Sequence, residues 1–287
     1  MTVQPFRQEA ERTAGTRIEA GRSYGFFTDT TLCIGCKACE VACKEWNQLP
    51  AEEMALTGMS YDNTGSLSAT TWRHVAFVEQ VREARPDGKP NVLPGRWLMM
   101  SDVCKHCANA PCLDACLTGA IFRTEFDTVV VQQDICNGCG YCVPACPFGV
   151  VELDEQDGKA HKCTLCYDRL KGGLEPACAK VCPTESIQFG EIEELDRRAR
   201  ARVRELHERG ERDAYLYGAP DTPGSTGGLG RLNAFFLLLD RPEVYNLPSR
   251  PDRPANRIAP AFGTGLAALA GMAGVALAFL ASAGGRR

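Results

Sequence analysis

The sixteen cysteines of this chain fall into four short groups, and their spacing limits what the chain can fold into. The first and third groups share the pattern C-x2-C-x2-C-x3-C. The second has the pattern C-x2-C-x4-C-x3-C and the fourth C-x2-C-x11-C-x3-C, so all four keep the opening pair and the closing spacer of three residues. The groups are Cys33, Cys36, Cys39 and Cys43; Cys104, Cys107, Cys112 and Cys116; Cys136, Cys139, Cys142 and Cys146; and Cys163, Cys166, Cys178 and Cys182.

Cysteines at this spacing are typical of iron-sulfur cluster ligands. In the run C-x2-C-x2-C-x3-C, one tight turn offers three thiolates to one cluster, and the fourth cysteine ligates a second cluster. Disulfides are disfavoured, because 16 cysteines in 287 residues lie below the roughly 8–10% of a small disulfide scaffold. A structural zinc site needs isolated C-x2-C pairs, a reading that only the fourth group allows. Four complete groups therefore predict four [4Fe-4S] clusters.

The fourth cysteine of each group is predicted to bind the cluster of a different group. Only 19 residues separate the second group from the third, a spacing similar to that of a two-cluster ferredoxin, so these two groups are paired. By elimination the first group pairs with the fourth. The predicted ligand sets are Cys33, Cys36, Cys39 and Cys182 for cluster 1; Cys104, Cys107, Cys112 and Cys146 for cluster 2; Cys136, Cys139, Cys142 and Cys116 for cluster 3; and Cys163, Cys166, Cys178 and Cys43 for cluster 4.

The rest of the sequence predicts an α+β fold of short elements. An apolar residue stands five positions after the last cysteine of three groups, at Ile121, Val151 and Ile187, which predicts a short strand leaving each cluster. Residues 25–28 and 128–132 are typical of strands that enter the first and third groups. Residues 191–210 carry apolar side chains at helical spacing, which predicts an amphipathic helix with a solvated charged face.

The predicted organisation is a duplicated two-cluster ferredoxin-like core followed by one C-terminal transmembrane helix. The segment between the first two groups holds three tryptophans and a strand pair around residues 72–81, and we interpret it as an insertion. The predicted parts are an N-terminal extension at 1–24; the four-cluster core at 25–190, with its insertion at 44–103; an amphipathic helix, loop and linker at 191–257; and the transmembrane helix at 258–285.

The C-terminal segment is predicted to cross a membrane once. Residues 258–285 contain no charged side chain, and a helix of this length spans about 30 Å of hydrocarbon. No apolar run follows the basic residues of the first 22, so no secretory signal peptide is predicted. Three arginines precede the segment and two follow it, which gives a slight preference for a cytoplasmic cluster domain.

Charge and composition limit the partners and the chemistry. The net charge of -4 lacks the basic footprint of a nucleic-acid-binding protein. No acid-base pair, phosphate loop or incomplete ligand set is readable, so a non-catalytic electron-transfer role is expected. Charged residues beside the ligands could raise cluster potentials or be ordinary solvated side chains, and both readings stay open. They are Lys37, Lys44, Lys105, His106, Lys162 and Lys180.

The chain resembles the four-cluster ferredoxin-like subunits of molybdopterin oxidoreductases, above all the iron-sulfur (beta) subunits of respiratory formate dehydrogenases. The resemblance rests on residues 25–47, 60–65, 134–142 and 237–245, which include the sequences GFFTDTTLCIGCKACEVACKEWN and LLLDRPEVY. One departure is Leu117, where the family usually has proline after the last cysteine of the second group.

The resemblance implies a relay in anaerobic respiration. Electrons would come from a molybdenum or tungsten pterin site in a catalytic subunit and go to a cytochrome b or quinone-reactive membrane subunit. It also implies a cluster domain on the outer face of the cell membrane, against the slight preference from the arginines. Relay subunits of hydrogenases and of polysulfide or sulfoxide reductases share the same cluster pattern and remain alternatives, as does a zinc-bound interaction module.

Overall fold

The computed structural model of the chain describes residues 18–51, 58, 61–80, 96–225 and 227–284. Its strands are β1 (Tyr24–Asp29), β2 (Arg73–Gln80), β3 (Arg96–Val103), β4 (Ile121–Arg123), β5 (Val129–Val131), β6 (Glu152–Leu153), β7 (Ala160–His161), β8 (Ile187–Glu191), β9 (Tyr215–Tyr217) and β10 (Ala234–Leu238). Its helices are α1 (Ala38–Asn47), α2 (Pro111–Asp114), α3 (Cys142–Ala145), α4 (Tyr167–Lys171), α5 (Ala177–Lys180), α6 (Ile192–Glu208) and α7 (Ile258–Gly284), with 3-10 helices at Pro242–Tyr245 and Pro254–Arg257. Helices and strands are thus mixed, as expected.

A four-stranded mixed sheet joins the two ends of the cysteine region. Its strand order is β8-β1-β10-β9, and β1 pairs in parallel with β10 and antiparallel with β8. All six residues of β1 are buried. Phe27 of β1 stacks on Phe235 of β10 with ring centroids 5.5 Å apart. Because β1 leads into the first cysteine group and β8 leaves the fourth, this sheet holds those two groups close together.

Strands β9 and β10 lie in a segment for which the sequence predicts only a helix, a loop and a linker. β10 is fully buried and lies beside β1. Its sequence, Ala-Phe-Phe-Leu-Leu, is a continuous apolar run without alternation. Such a run suits a strand covered on both faces or a buried helical turn, and periodicity alone does not separate the two.

Gly25 lies in β1 at a point where no side chain fits. A Cβ atom there would be 1.8 Å from the backbone oxygen of Asn233 and 2.5 Å from Cδ1 of Ile192. We expect Gly25→Ala to destabilise the folded state by roughly 1–3 kcal/mol through overpacking. Gly190→Ala is the matched control, because Gly190 pairs with Gly25 and its Cβ would only touch Leu195 at 3.5 Å. Anaerobic thermal unfolding measures both variants, and equal losses would contradict this account.

The hairpin of β2 and β3 covers the first cysteine group. The two strands pair along their whole length, from Arg73 opposite Val103 to Gln80 opposite Arg96. Of the strand pair predicted around residues 72–81, only β2 lies there, and its partner β3 begins sixteen positions after the end of β2, at Arg96. The backbone N–H of Val75 donates to Oε1 of the buried Glu40, 2.5 Å away, which fixes the hairpin against α1.

The short strands predicted after three cysteine groups are present. They are β4, which begins at Ile121, β6, which begins at Glu152, and β8, which begins at Ile187. β4 pairs with β5 and β6 with β7, each as a small antiparallel hairpin.

The predicted amphipathic helix is α6, and its apolar face is buried at Ile192, Leu195, Ala199 and Leu206. Its opposite face carries ion pairs between neighbouring turns, such as Arg198 with Glu194 and Arg200 with Asp196, as expected of a solvated face. One arginine is different: Nε of Arg202 lies 2.9 Å from Oδ2 of Asp29, a fully buried carboxylate at the end of β1. This contact ties α6 to the strand that enters the first group.

Helix α7 is the candidate membrane span. Within the described residues, one stretch, Pro254–Ala278, is long and apolar enough to cross a membrane, with a mean hydropathy of 1.7. The helix begins at Ile258 and ends at Gly284. Pro260 is the third residue of α7, where its missing N–H costs nothing because the first turn has no helical acceptor for it.

Candidate iron-sulfur sites

Each cysteine group opens with a loop that turns at the residue before its second cysteine. These residues have positive φ angles: 66° for Gly35, 44° for His106, 71° for Gly138 and 57° for Leu165. Glycine adopts this conformation freely, whereas a residue with a side chain is strained by about 1–3 kcal/mol and keeps the conformation where the surrounding fold imposes it. The second and fourth groups thus adopt the same turn as the glycine-containing groups.

Site 1 consists of Cys33, Cys36, Cys39 and Cys182. The four thiols line one small cavity, together with Ser101 of β3. Burial raises the pKa of Cys33, and the negative charges of Cys182 and Cys36 add to the rise. Oγ of Ser101 lies 3.2 Å from Sγ of Cys39. Three thiols of the first group and one of the fourth therefore face a common centre.

Site 4 consists of Cys163, Cys166, Cys178 and Cys43. All four are buried. Burial raises the pKa of Cys43 well above its ordinary value, and the thiolates that reinforce this are Cys163, Cys178 and Cys166, the other members of the site. α1, which carries Cys43, packs against α5, which carries Cys178, and this contact closes the site.

Sites 2 and 3 exchange one cysteine between the second and third groups. Burial raises the pKa of Cys107 strongly, reinforced by Cys104, Cys146 and Cys112. Burial raises the pKa of Cys142 to about 11, reinforced by Cys116, Cys136 and Cys139. Site 2 therefore consists of Cys104, Cys107, Cys112 and Cys146, and site 3 of Cys136, Cys139, Cys142 and Cys116.

The four sites follow one another in the order 1, 4, 2, 3. Burial raises the pKa of Cys39 in site 1 to about 12, and Cys178 of site 4 contributes. Burial likewise raises the pKa of Cys163 in site 4, with a contribution from Cys104 of site 2. Cys142 of site 3 acts in the same way on Cys112 of site 2. Each site therefore neighbours the next one in this order, and the four sites form one continuous line.

Exposure to solvent agrees with this order. Cys36 and Cys139 are the two exposed cysteines, and they belong to sites 1 and 3, at the ends of the line. Every cysteine of site 4 is buried, and so are three of the four in site 2. The line therefore has a protected middle and two ends that a partner can approach.

Known proteins with related sequences include iron-sulfur subunits of formate dehydrogenases. Two family models of 4Fe-4S dicluster domains match residues 32–120 and 95–192. The formate dehydrogenase iron-sulfur subunit of Haemophilus influenzae is 40% identical over 227 residues, which cover 78% of this chain and 68% of the relative. The nitrate-inducible formate dehydrogenase iron-sulfur subunit of Escherichia coli K12 is also 40% identical over 227 residues, covering 78% of this chain and 71% of the relative.

The chain belongs to the formate dehydrogenase iron-sulfur subunit family. The resemblance drawn from the sequence is thereby confirmed, and the chain is an electron-transfer subunit with two tandem 4Fe-4S dicluster domains. A thiosulfate reductase electron transfer subunit of Salmonella typhi is 39% identical over 174 residues, which cover 60% of this chain and 78% of the relative. Matches to the formate dehydrogenase subunits thus extend further along the chain.

The surroundings of the thiols in this iron-sulfur subunit suit bound clusters. The backbone N–H of Leu165 donates to Sγ of Cys163 at 3.2 Å, and Nη2 of Arg73 donates to Sγ of Cys178 at 3.1 Å. Nε of Arg73 and Nε2 of His106 are buried with no hydrogen-bond partner among the described residues. A buried donor without an acceptor is costly. Cluster sulfides accept hydrogen bonds, so they would satisfy donors that a zinc ion would leave unpaired.

The charged residues beside the ligands are not equivalent. Nζ of Lys105 lies 2.5 Å from Oδ1 of Asp102, and Lys37 is paired with Glu40. Lys162 is buried, whereas Lys180 is exposed. For Lys180 the ordinary solvated reading holds, and for the buried lysines it does not.

His106 supplies no positive charge. Burial lowers its pKa well below the ordinary value, with Lys162 adding to the effect, and its Nδ1 accepts a hydrogen bond from the backbone N–H of Val129 at 3.0 Å. The hypothesis that His106 raises a cluster potential by its charge is therefore wrong. Its neutral Nε2–H remains a hydrogen-bond donor.

Arg73 is the residue that sequence analysis missed. It is fully buried, and its guanidinium lies over the ring of Phe26 with 4.7 Å to the centroid. It also bonds to Ser101, so it stands between a wall of site 1 and Cys178 of site 4. It lies 30 positions from Cys43, the nearest ligand in sequence, so only the packing of the hairpin reveals it.

Trp46 and Trp72, two of the three tryptophans in the predicted insertion, both make local contacts, as packing side chains do. Nε1 of Trp46 donates to Asp168, and the ring lies under Arg169 at 4.2 Å. Nε1 of Trp72 donates to the backbone oxygen of Ala69. These contacts support the packing role.

Proposed function

We propose that this subunit holds four [4Fe-4S] clusters and relays electrons from a molybdopterin or tungstopterin catalytic subunit of a formate dehydrogenase to a membrane cytochrome b or quinone-reactive subunit. The observation that carries the proposal is the line of four complete four-thiol sites with exposed cysteines only at its two ends. When bound, the clusters supply one-electron redox chemistry without proton transfer or bond breaking. The chain's own residues hold them, exclude water from the middle sites and present the two ends.

The ligand sets are proposed as predicted from the sequence. Cys33, Cys36 and Cys39 with Cys182 would hold cluster 1, and Cys163, Cys166 and Cys178 with Cys43 would hold cluster 4. Cys104, Cys107 and Cys112 with Cys146 would hold cluster 2, and Cys136, Cys139 and Cys142 with Cys116 would hold cluster 3. The support is that in each site, besides burial, the negative charges of other members of the set raise the pKa of one thiol.

The end of the line at site 3 is proposed to face the membrane. The support is the ion pair between Nε of Arg253 and Oδ2 of Asp114, 2.7 Å apart. Arg253 lies just before α7, and Asp114 lies in α2 between two ligand cysteines, Cys112 of site 2 and Cys116 of site 3. The ion pair thus connects the segment just before the membrane helix to the segment that carries Cys112 and Cys116. The site 1 end would then receive electrons from the catalytic subunit.

The domain organisation is proposed as an extension at 1–24, a duplicated ferredoxin-like core at 25–190 with its insertion at 44–103, a segment at 191–257 that adds two strands to the core sheet, and a single membrane helix at 258–285. We propose the outer face of the cell membrane for the cluster domain. Protease treatment of sealed vesicles of known orientation distinguishes that face from the cytoplasmic one.

The test of the proposed function is reduction of the clusters by formate in the assembled complex. Formate should bleach the visible absorbance of anaerobic, oxidised complex, and a quinone should restore it. Dithionite gives the full bleach for comparison. If dithionite reduces the clusters and formate does not, the formate assignment is wrong. The catalytic partners to test next are then thiosulfate reductase and sulfoxide reductase subunits.

A further inference from the structure

Lys162 carries a buried positive charge in the middle of the line of sites. Its side chain is 2% exposed. Nζ donates to the backbone oxygens of Val129 and Cys163. Among the residues that the structure describes, no carboxylate lies within ion-pair distance of this ammonium group.

Lys162 lies between site 4 and site 2. It directly precedes Cys163 of site 4, and its Nζ donates to the Cys163 backbone oxygen at 3.1 Å. Towards site 2, the backbone oxygen of Val129 accepts from Nζ, and the N–H of Val129 donates to Nδ1 of His106, the neighbour of Cys107. In agreement with this position, burial lowers the pKa of Lys162 and thiolates of both sites raise it, namely Cys163 of site 4 and Cys104, Cys112 and Cys146 of site 2.

The other lysines beside ligands lack this setting. Lys105 is equally buried, but the carboxylate of Asp102 balances its charge at 2.5 Å. Lys180 lies between Cys178 and Cys182 in the sequence, yet its side chain is 57% exposed and paired with Glu175. Solvent and salt screen an exposed charge, whereas they screen a buried charge much less.

We propose that Lys162 is a redox-tuning residue, whose buried charge raises the reduction potentials of the clusters at sites 2 and 4. This inference rests on the ligand sets proposed above. Reduction adds one negative charge to a cluster, and a fixed cation close by makes that addition more favourable. Because site 2 supplies three of the four interacting thiolates, its potential should depend on Lys162 the most.

The test is a redox titration of the intact anaerobic complex, followed by electron paramagnetic resonance. Lys162→Gln removes the charge but keeps a donor for the Val129 oxygen, Lys162→Arg keeps the charge, and Lys180→Gln is the matched control. Lys162→Gln should lower the midpoint of site 2 so that the ratio of reduced to oxidised cluster falls at least tenfold at a fixed potential, about 59 mV for one electron. Site 4 should shift less. Lys162→Arg and Lys180→Gln should titrate like the wild type.

An unchanged midpoint at site 2 in a Lys162→Gln complex with full iron content would overturn the inference. A missing cluster in the wild-type complex would instead count against the proposed function, so the two failures are distinguishable. If the Lys162→Gln complex fails to load clusters, the salt dependence of the site 2 midpoint in the native complex tests the inference instead. A buried charge is screened very little when the Debye length drops from about 10 Å at 0.1 M salt to about 3 Å at 1 M. The midpoint of site 2 should therefore stay constant, and a tenfold fall in the ratio at high salt would refute the inference.

Discussion

Cys182→Ser is expected to remove the cluster at site 1 and to leave the one at site 4 in place. Cys182 belongs in sequence to the fourth group, but it lines the same cavity as Cys33, Cys36 and Cys39. Iron-sulfur clusters need thiolate ligands, and a serine hydroxyl at this position is a poor substitute. The variant should keep about three quarters of the iron that this subunit holds, four irons being lost with one cluster. Iron analysis and low-temperature spectroscopy of the reduced complex measure both effects.

Cys178→Ser is the matched control for this prediction. Cys178 lies four positions before Cys182 in the same group, but it faces site 4, where it raises the pKa of Cys43. This variant should lose the cluster at site 4 and keep the one at site 1. If Cys182→Ser abolished the signal of site 4 and spared site 1, the exchange of ligands between the groups would be wrong.

Removal of α7 is expected to separate electron delivery to quinone from electron transfer within the subunit. A chain ending after Arg257 keeps all sixteen cysteines and the Arg253–Asp114 ion pair, so the complex should keep its clusters and oxidise formate with a soluble dye. Delivery to quinone should fall by at least about tenfold, because the site 3 end is no longer held against its membrane partner. Both activities are measured on washed membranes and on the soluble fraction.

A replacement helix distinguishes anchoring from docking. The native α7 carries Ala267 with Gly271 and Ala270 with Gly274 at the spacing that lets membrane helices approach closely. A leucine helix of the same length, 27 residues, should restore membrane attachment without those faces. Quinone activity that stays low with this helix supports docking by α7. A truncated chain that stays membrane-bound with full quinone activity would show that α7 neither anchors nor docks.

The sequence predicts the loops of the four cysteine groups because the spacing within a group is a local property. C-x2-C pairs need one tight turn, and the closing spacer of three residues places the last cysteine about one helical turn away, as in α2 and α5. The strands after the groups were predicted from the apolar residue five positions past each last cysteine, and α6 from its helical spacing. In each case neighbouring residues alone determine the structure.

The features that the sequence did not predict all depend on contacts between distant segments. β10 joins β1 across about 200 positions, and Arg73 meets Cys178 across 105. The difference between Lys162 and Lys180 is also tertiary, because both are lysines beside a ligand and only the packed fold buries one of them. Local pattern carries no information on burial of this kind.

The most direct test of the central claim is the metal and sulfide content of the anaerobically purified subunit in its complex. With sixteen cysteines in four complete sites, we expect sixteen irons and sixteen acid-labile sulfides in this chain, four of each per cluster, with negligible zinc. Irons held by the catalytic partner are counted separately, from that subunit alone. Stoichiometric zinc, or an iron content near eight, would contradict a four-cluster relay.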